Sequence, residues 1–258
     1  MRLAAVQYRP PHGRPVRARK DLVRLANAAI DAGAQLVVLP EMATTGYVFR
    51  DGAELRPHAE PVDGPTLAAL APVAARGAWI VCGFAELGAD GHLYNSALII
   101  RPDGQLATSY RKVLLFHLDT TWARPGQTRV IVPTPMGDLA VAICMDINDD
   151  RLVTWLSMTR PAILAFCTNW VNESGVEPRH WWRHQLRGWG GWMVAANRWG
   201  EERGVHFSGQ SSILAPYGRI AAEAEAEGDS VVLVDTAEWA READPSSGST
   251  QGHPDRWR

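Results

Sequence analysis

The sequence predicts an α/β domain whose strands are buried on both faces, and three observations predict it. The opening third alternates strand, helix and strand patterns with short connections, which is how a parallel pair and its crossover helix are encoded. Several strand segments are apolar at every position rather than at alternate ones, as expected when both faces are covered. The 258 residues, 46% hydrophobic and 21% charged, contain no internal linker, so a single substantial core is expected.

Taken in order, Leu3–Gln7 reads as a short buried strand. Arg14, Arg17, Arg19 and Lys20 form a basic group read as the solvated approach to a first helix. That helix is expected over Asp21–Ile30, where Leu22, Leu25, Ala26, Ala29 and Ile30 recur at helical spacing and Gly33 follows as a stop. Leu36–Leu39 is the second strand, closed by Pro40. Gly64-Pro65 opens a helix over Pro65–Ala75, and Trp79–Phe84 returns as a strand. Ser96–Ile100 and Gln105–Ser109 flank Asp103-Gly104, a hairpin signal. Val130–Val132 and Leu139–Ile143 flank a turn at Pro135-Met136-Gly137. A helix at Arg151–Met158, a strand at Ile163–Cys167, a helix at Arg179–Trp189 and a strand at Met193–Ala196 follow. Gln210–Leu214 and Val231–Val234 complete the strands, with a turn at Pro216-Tyr217-Gly218 between them. The domain is assigned to residues 1–238. Residues 239–258, rich in Ser, Gly, Pro and Asp from about Pro245, are expected to be a tail, loosely held or packed on a partner subunit.

Composition excludes several function classes. A formal net charge of −2 gives no reason to expect nucleic acid or an anionic membrane as partner. No segment approaches the length needed to span a bilayer, and the apolar run at Met1–Val6 is too short for a signal peptide. Cys82, Cys144 and Cys167 are odd in number and lack paired CxxC spacing, so neither a disulfide framework nor structural zinc is suggested, and a reducing cytoplasm fits. His180 and His184 read as a helix-surface pair without a third metal ligand.

Ligands of open α/β sheets gather beyond the carboxyl ends of strands. Three polar residues occupy that position: Glu41 after Leu36–Pro40, Cys144 after Leu139–Ile143, and Asn169 just past Ile163–Cys167. A carboxylate and a thiol brought to one rim by neighbouring strands would form a base–nucleophile pair. Taken singly, a Cys at a strand end is more often a small buried hydrophobe, a Glu there a solvated cap, and Lys112 a surface ammonium.

Their flanking sequences change that balance. Leu36-Val37-Val38-Leu39-Pro40-Glu41-Met42-Ala43-Thr44-Thr45-Gly46-Tyr47 resembles the glutamate motif of the nitrilase-like, carbon–nitrogen hydrolase family. Tyr110-Arg111-Lys112-Val113, with Leu114-Leu115-Phe116 and Arg124-Pro125-Gly126 beyond it, resembles the lysine motif, and Ala142-Ile143-Cys144-Met145-Asp146 the nucleophile motif. Supporting matches at Ala4–Gln7, Asn95-Ser96-Ala97, Thr168-Asn169-Trp170, Ala196-Asn197-Arg198 and Ser208–Ser211 cover nearly the whole chain. The resemblance implies a four-layer αββα sandwich with mixed central sheets, a homodimer or larger homo-oligomer, and no metal or organic cofactor. It also implies that Glu41 moves protons to and from Cys144 and the departing amine. Lys112 and the backbone N–H of Met145 would hold the oxyanion. Asn169, from its place past a strand end, and Trp170 beside it are the candidate substrate-binding residues. Asp119 stands where many relatives carry a second glutamate, one methylene longer, and could orient Lys112 and raise the proton affinity of Glu41. Arg187-Gly188-Trp189-Gly190-Gly191 departs from the family's usual Arg-Ala-x-Glu-Asn, and its glycines are expected to end the helix early.

The resemblance implies a small-molecule amide or carbamoyl substrate. Cys144-Met145-Asp146 leans toward amides, because nitrile-hydrolysing relatives tend to carry Cys-Trp-Glu. Nitrile hydrolysis is the alternative activity, and a catalytically silent binding protein the alternative class. Trp170, Trp181, Trp182, Trp189, Trp192 and Trp199 crowd one segment. They read first as core and interface packing, with Trp170 and Trp122 as candidates to line an apolar acyl pocket.

Overall fold

The computed structural model describes residues 1–171 and 177–243. In chain order they form β1 (Arg2–Gln7), α1 (Pro15–Asp31), β2 (Leu36–Leu39), α2 (Gly52–Leu55), α3 (Pro65–Ala74), β3 (Trp79–Leu87), β4 (Leu93–Ile100), β5 (Leu106–Arg111), β6 (Ile131–Val132) and β7 (Leu139–Ile143). There follow α4 (Asp150–Thr159), β8 (Ile163–Thr168), α5 (Pro178–Leu186), β9 (Trp192–Asn197), β10 (Trp199–Glu202), β11 (Val205–Ser208), β12 (Ser212–Ala215), β13 (Arg219–Glu223), β14 (Ser230–Asp235) and α6 (Thr236–Ala243).

Two six-stranded mixed sheets result, ordered β14-β1-β2-β3-β4-β5 and β13-β12-β9-β8-β7-β6. Each is built on a parallel trio, β1-β2-β3 in one and β7-β8-β9 in the other, extended on both sides by antiparallel strands. The sheets face one another through Leu3, Ala5, Leu36, Val38, Val141, Ile143, Ala165 and Val194. Alternate residues of the first sheet, among them Ala4, Val6, Val37 and Leu39, pack on α1 and α3. Ala140, Ala142, Leu164, Phe166 and Met193 of the second pack on α4 and α5. The architecture is therefore α-β-β-α, and it explains the sequence pattern. A strand with a helix layer on one face and a second sheet on the other has no solvent face on which to place polar residues.

α1 begins at Pro15, six residues before the expected start. Proline at the first helical position has its φ preset and lacks only an N–H that would be unpaired there. The basic group from Arg17 to Lys20 thus lies on the helix rather than before it. Ala18, Leu22, Leu25, Ala26 and Ala29 form its buried stripe. α5 stops at Leu186, ahead of the glycine-rich segment, which turns Trp189 into the core at 3% exposure.

Several elements carry no signal in the sequence. The β10–β11 hairpin holds Glu201, Glu202, Arg203 and His206, and β13 is a half-exposed edge strand. α6 carries folded chain past the boundary expected at residue 238. Its Trp239 lies edge-on to Trp192, ring centres 5.3 Å apart, beneath the guanidinium of Arg219. The tail expected from Pro245 lies outside the described residues. Among those described, no helix is long and apolar enough to cross a membrane.

Candidate active site

The glutamate reaches its position by a close backbone approach. Gly83 of β3 donates its N–H to the Pro40 carbonyl at 3.1 Å, and its own carbonyl accepts from Ala43 N–H at 2.9 Å. A Cβ on residue 83 would lie 2.4 Å from the Pro40 oxygen and 2.6 Å from Glu41 Cα. Gly83→Ala is therefore expected to push Glu41 out of register, costing about 1–3 kcal/mol by overpacking and most of any activity. Thermal melting and turnover measured on the same preparation check this. A variant matching the parent in both would show that Glu41 tolerates displacement.

Beyond Glu41 the chain turns tightly, with Met42 at φ +49°, and returns through Tyr47 and Phe49. Glu202 of β10 holds this loop. Its carboxylate accepts the N–H groups of Tyr47 at 2.8 Å and of Val48, and it pairs with Arg198 at 2.8 Å. Arg198 is fully buried, its guanidinium 4.0 Å above the Phe207 ring. Burial depresses its proton affinity, with Glu202 working against that.

Lys112 directly follows β5, the edge strand of the first sheet, and its backbone N–H donates to the Asn95 carbonyl at 2.8 Å. Its Nζ lies 2.7 Å from Glu41 Oε1 and 2.6 Å from Asp119 Oδ2, and all three residues are 0% exposed. Asn95 Nδ2 donates to the same two carboxylates, to Glu41 Oε1 at 2.7 Å and to Asp119 Oδ1 at 3.1 Å. One ammonium and one carboxamide thus bind two buried carboxylates into a single network. Burial raises Glu41 above 4.5 even though Lys112 pulls the other way. Burial would also strip Lys112 of its charge, but Asp119 and Glu41 outweigh it and hold the ammonium well above 10.5. The second oxygen of Glu41, Oε2, is buried without a partner among the described residues.

Cys144 sits at the turn from β7 into a short 3₁₀ segment, Cys144–Asn148, with φ +44°. A non-glycine residue in that region is strained, and such strain persists only where surrounding contacts impose it. Asp146 supplies those contacts. Its Oδ2 accepts from Ile143 N–H and the Tyr110 hydroxyl, both at 2.8 Å. Its Oδ1 accepts from Val113 N–H at 3.1 Å and Leu114 N–H at 2.8 Å. One carboxylate therefore fastens the cysteine elbow to the strand end that carries Lys112. Burial pushes the Cys144 thiol up to about 12 and the Glu41 charge adds to it, while Lys112, the Thr168 hydroxyl and the Asn169 backbone N–H act against the rise. The thiol is protonated at neutral pH and needs a base to become a nucleophile.

The neighbouring-strand expectation needs correction. Glu41 ends a strand of the first sheet, whereas Cys144 and Asn169 end β7 and β8 of the second, so they converge across the sandwich rather than along one rim. The two sheets pack face to face, and spacing in sequence does not reveal such stacking.

A pocket of about 200 Å³ opens on Cys144, lined by Phe116, Met145, Asn148, Asn169, Trp170 and Val171. Trp170 is fixed by its N–H bond to Asn197 Oδ1 at 2.9 Å and by an edge-to-face contact with Trp182 at 5.8 Å. Trp122 does not line it; it packs with Met42, Phe49 and Leu93. A larger groove of about 960 Å³ runs past Glu86, Tyr94 and Arg111, but neither Glu41, Lys112 nor Cys144 lines it. Among the described residues no group of three or more His, Cys, Asp or Glu is placed to hold a metal ion. His180 approaches Glu177 at 3.5 Å and His184 stacks on Trp181.

The roles of Asn95, Gly83, Asp146 and the Arg198–Glu202 pair went unassigned in the sequence. Asn95, Asp146 and Arg198 left a trace there, as members of matched motifs, and Asn95 also as a polar residue inside the apolar run from Leu93 to Ile100; Gly83 and Glu202 left none.

The model of the carbon-nitrogen hydrolase family matches residues 2–242. A nitrilase of Pyrococcus abyssi is 33% identical over 233 residues, covering 88% of this chain and 87% of its own. An omega-amidase of Xenopus tropicalis is 27% identical, covering 82% and 80%. The solved structure of NitN amidase from Nesterenkonia sp. AN1 superposes with a TM-score of 0.82 at 21% identity, over 94% of this chain and 96% of that one.

Proposed function

Because the chain belongs to the carbon–nitrogen hydrolase family, we propose that it cleaves a small linear amide through a thioester on Cys144. The observation that carries this reading is the buried network of one ammonium between two carboxylates, Lys112 with Glu41 and Asp119, in electrostatic contact with a strained thiol that lines a pocket. An amide carbonyl is a poor electrophile, and its nitrogen is a poor leaving group. Chemistry on it needs an activated nucleophile, an oxyanion partner and an acid for the nitrogen.

Each residue has one of these tasks. Glu41 takes the proton of Cys144, and the sulfur electron pair forms a C–S bond to the carbonyl carbon. The carbonyl oxygen becomes an oxyanion, met by the ammonium of Lys112 and the N–H of Met145. Glu41 returns its proton to the amide nitrogen, the C–N bond breaks with its electron pair leaving on nitrogen, and ammonia or an amine departs. Water, deprotonated by Glu41, then adds to the thioester. The C–S bond breaks, the sulfur regains a proton and the acid leaves. Asp119 holds the ammonium against the oxyanion position and, by its own charge, raises the proton affinity of Glu41. In a glutamate-to-glutamine mutant of the Nesterenkonia amidase, acrylamide adds to the active-site cysteine by Michael addition, which supports a nucleophilic sulfur in this fold.

The pocket supports a short, uncharged acyl group. None of its described lining residues carries a charge, so among them a distal carboxylate, as in a dicarboxylic monoamide or an N-carbamoyl amino acid, would lose hydration without gaining a partner. Ammonia release from propionamide and succinamate tests this. Propionamide is expected to be the better substrate, and faster turnover of succinamate would overturn the assignment. The Pyrococcus relative, named a nitrilase, favours nitrile hydrolysis as the second reading.

The pH profile follows from Glu41. The base must be ionised, and burial has raised it above 4.5, so kcat/KM is expected to be full on the alkaline side and to fall as pH drops through that raised value. Lys112 stays charged throughout. An acid limb centred at or below the ordinary glutamate value of about 4.3 would remove Glu41 from the base role.

A further inference from the structure

Asn169 follows β8, is 2% exposed, and has a side chain in which neither Nδ2 nor Oδ1 finds a partner among the described residues. The chain around it is firmly held. Trp170 donates its N–H to Asn197 Oδ1, and its carbonyl accepts from Ser208 N–H at 3.0 Å and Ser208 Oγ at 3.1 Å. The orphaned amide is therefore not the product of a loose segment. A buried donor and acceptor left unmade are expensive, and native structures keep few of them. Asn169 lines the same pocket as Cys144, where a ligand could supply both missing bonds. Among the described residues, the other carboxamide in that lining is already committed. Asn148 Oδ1 accepts from Trp181 Nε1 at 2.5 Å, and Asn148 Nδ2 donates to Met145 Sδ at 3.2 Å. Phe116, Met145, Trp170 and Val171 offer hydrocarbon, aromatic faces and a thioether.

We propose that Asn169 is the specificity-determining residue that selects a primary carboxamide, Oδ1 taking a substrate N–H while Nδ2 gives one to a substrate oxygen. The inference rests on the amide-hydrolysis reading above and deepens it. The group that satisfies both atoms together is uncharged and carries a donor and an acceptor, as –CO–NH₂ does. A nitrile offers an acceptor only, so a bound nitrile strands Oδ1. An ester or a carboxylate strands it as well. Sites built to pair with a substrate's polar group reject an analogue lacking that group far more strongly than apolar pockets reject a misfit of shape. The residue thus separates amide from nitrile substrates, which share the same nucleophile.

The experiment uses the full chain with propionamide and propionitrile as probes. Asn169→Leu keeps the branched heavy-atom shape and removes both polar atoms, and Asn169→Ala is the smaller companion should leucine disturb folding. Both retain the backbone N–H beside the sulfur. In either variant kcat/KM for propionamide is expected to fall about ten- to a hundred-fold while that for propionitrile changes less than about three-fold. An equal fall for both probes, or an unchanged amide rate, overturns the proposal. Binding to Cys144→Ala, followed by ligand-observed NMR, needs no turnover. Propionamide is expected to bind at least about ten-fold tighter than propionitrile, with the advantage lost in Cys144→Ala/Asn169→Leu. Equal binding of the two probes to Cys144→Ala overturns the role of Asn169. Absence of ammonia release from the parent enzyme overturns the hydrolysis reading instead, while the binding comparison still decides the selection.

Discussion

Replacing Lys112 by methionine is expected to lower kcat/KM by about a hundred- to a thousand-fold, the usual consequence of losing one oxyanion donor, and to destabilise the domain in the same step. The second effect follows from where the ammonium sits. Glu41 and Asp119 are fully buried and share Nζ at 2.7 and 2.6 Å, so its removal leaves two carboxylates bridged by Asn95 alone. Breaking a buried ion pair from one side costs about 3–5 kcal/mol, because the remaining charge is stranded. The cost has a pH signature. Without Lys112, Glu41 is raised further above 4.5, and a carboxyl raised in the folded state contributes stability below its unfolded value and loses it as pH rises through the folded one. Urea denaturation should find the variant weakest at pH 8 and closest to the parent near pH 3, below the ordinary glutamate value of about 4.3, where Glu41 carries a proton in both states. Adding Asp119→Asn should recover stability without recovering turnover. A Lys112→Met protein as stable as the parent at pH 8, or within ten-fold of its activity, would show that the ammonium neither neutralises this network nor serves the oxyanion.

The sequence made the strands and their terminal polar residues legible because burial on both faces leaves a local mark. Leu36–Leu39, Leu139–Ile143 and Ile163–Cys167 are uninterrupted apolar runs, and each appears in the structure as a fully buried strand. The β10–β11 hairpin left no such mark. Half of its residues face solvent, and its importance lies in one tertiary contact, from Glu202 to the Glu41 loop 155 residues away. Gly83 is equally silent. Nothing near it announces that another strand's end must pass within a methyl radius. Asp146 is an intermediate case. The sequence marks it as part of the nucleophile motif, but not that its carboxylate ties Cys144 to the strand end bearing Lys112. Local chemistry is written locally, whereas whatever brings distant segments together is written in pairs of residues.

Cys144→Ala is expected to abolish turnover, by at least about a thousand-fold, because the proposed acyl intermediate forms on its sulfur, and to leave the fold intact. The structure separates these outcomes. Cys144 is 7% exposed and, with its thiol pushed up to about 12, carries no charge at neutral pH, so replacing the sulfur by hydrogen strands no ion. The elbow is held by Asp146 through four hydrogen bonds, none of which involves residue 144. Alanine keeps the Cβ, so the φ of +44° remains as strained as in the parent. Glycine removes it, and Cys144→Gly should be more stable than Cys144→Ala by about 1 kcal/mol, the cost of a left-handed non-glycine residue. That comparison shows whether the strain belongs to the elbow itself or is absorbed by its neighbours. If Cys144→Ala melts with the parent and retains more than about 1% of its activity, some other group attacks the substrate, since loss of a covalent nucleophile leaves far less. If Cys144→Gly is no more stable than Cys144→Ala, the tight turn at the nucleophile is not under tension.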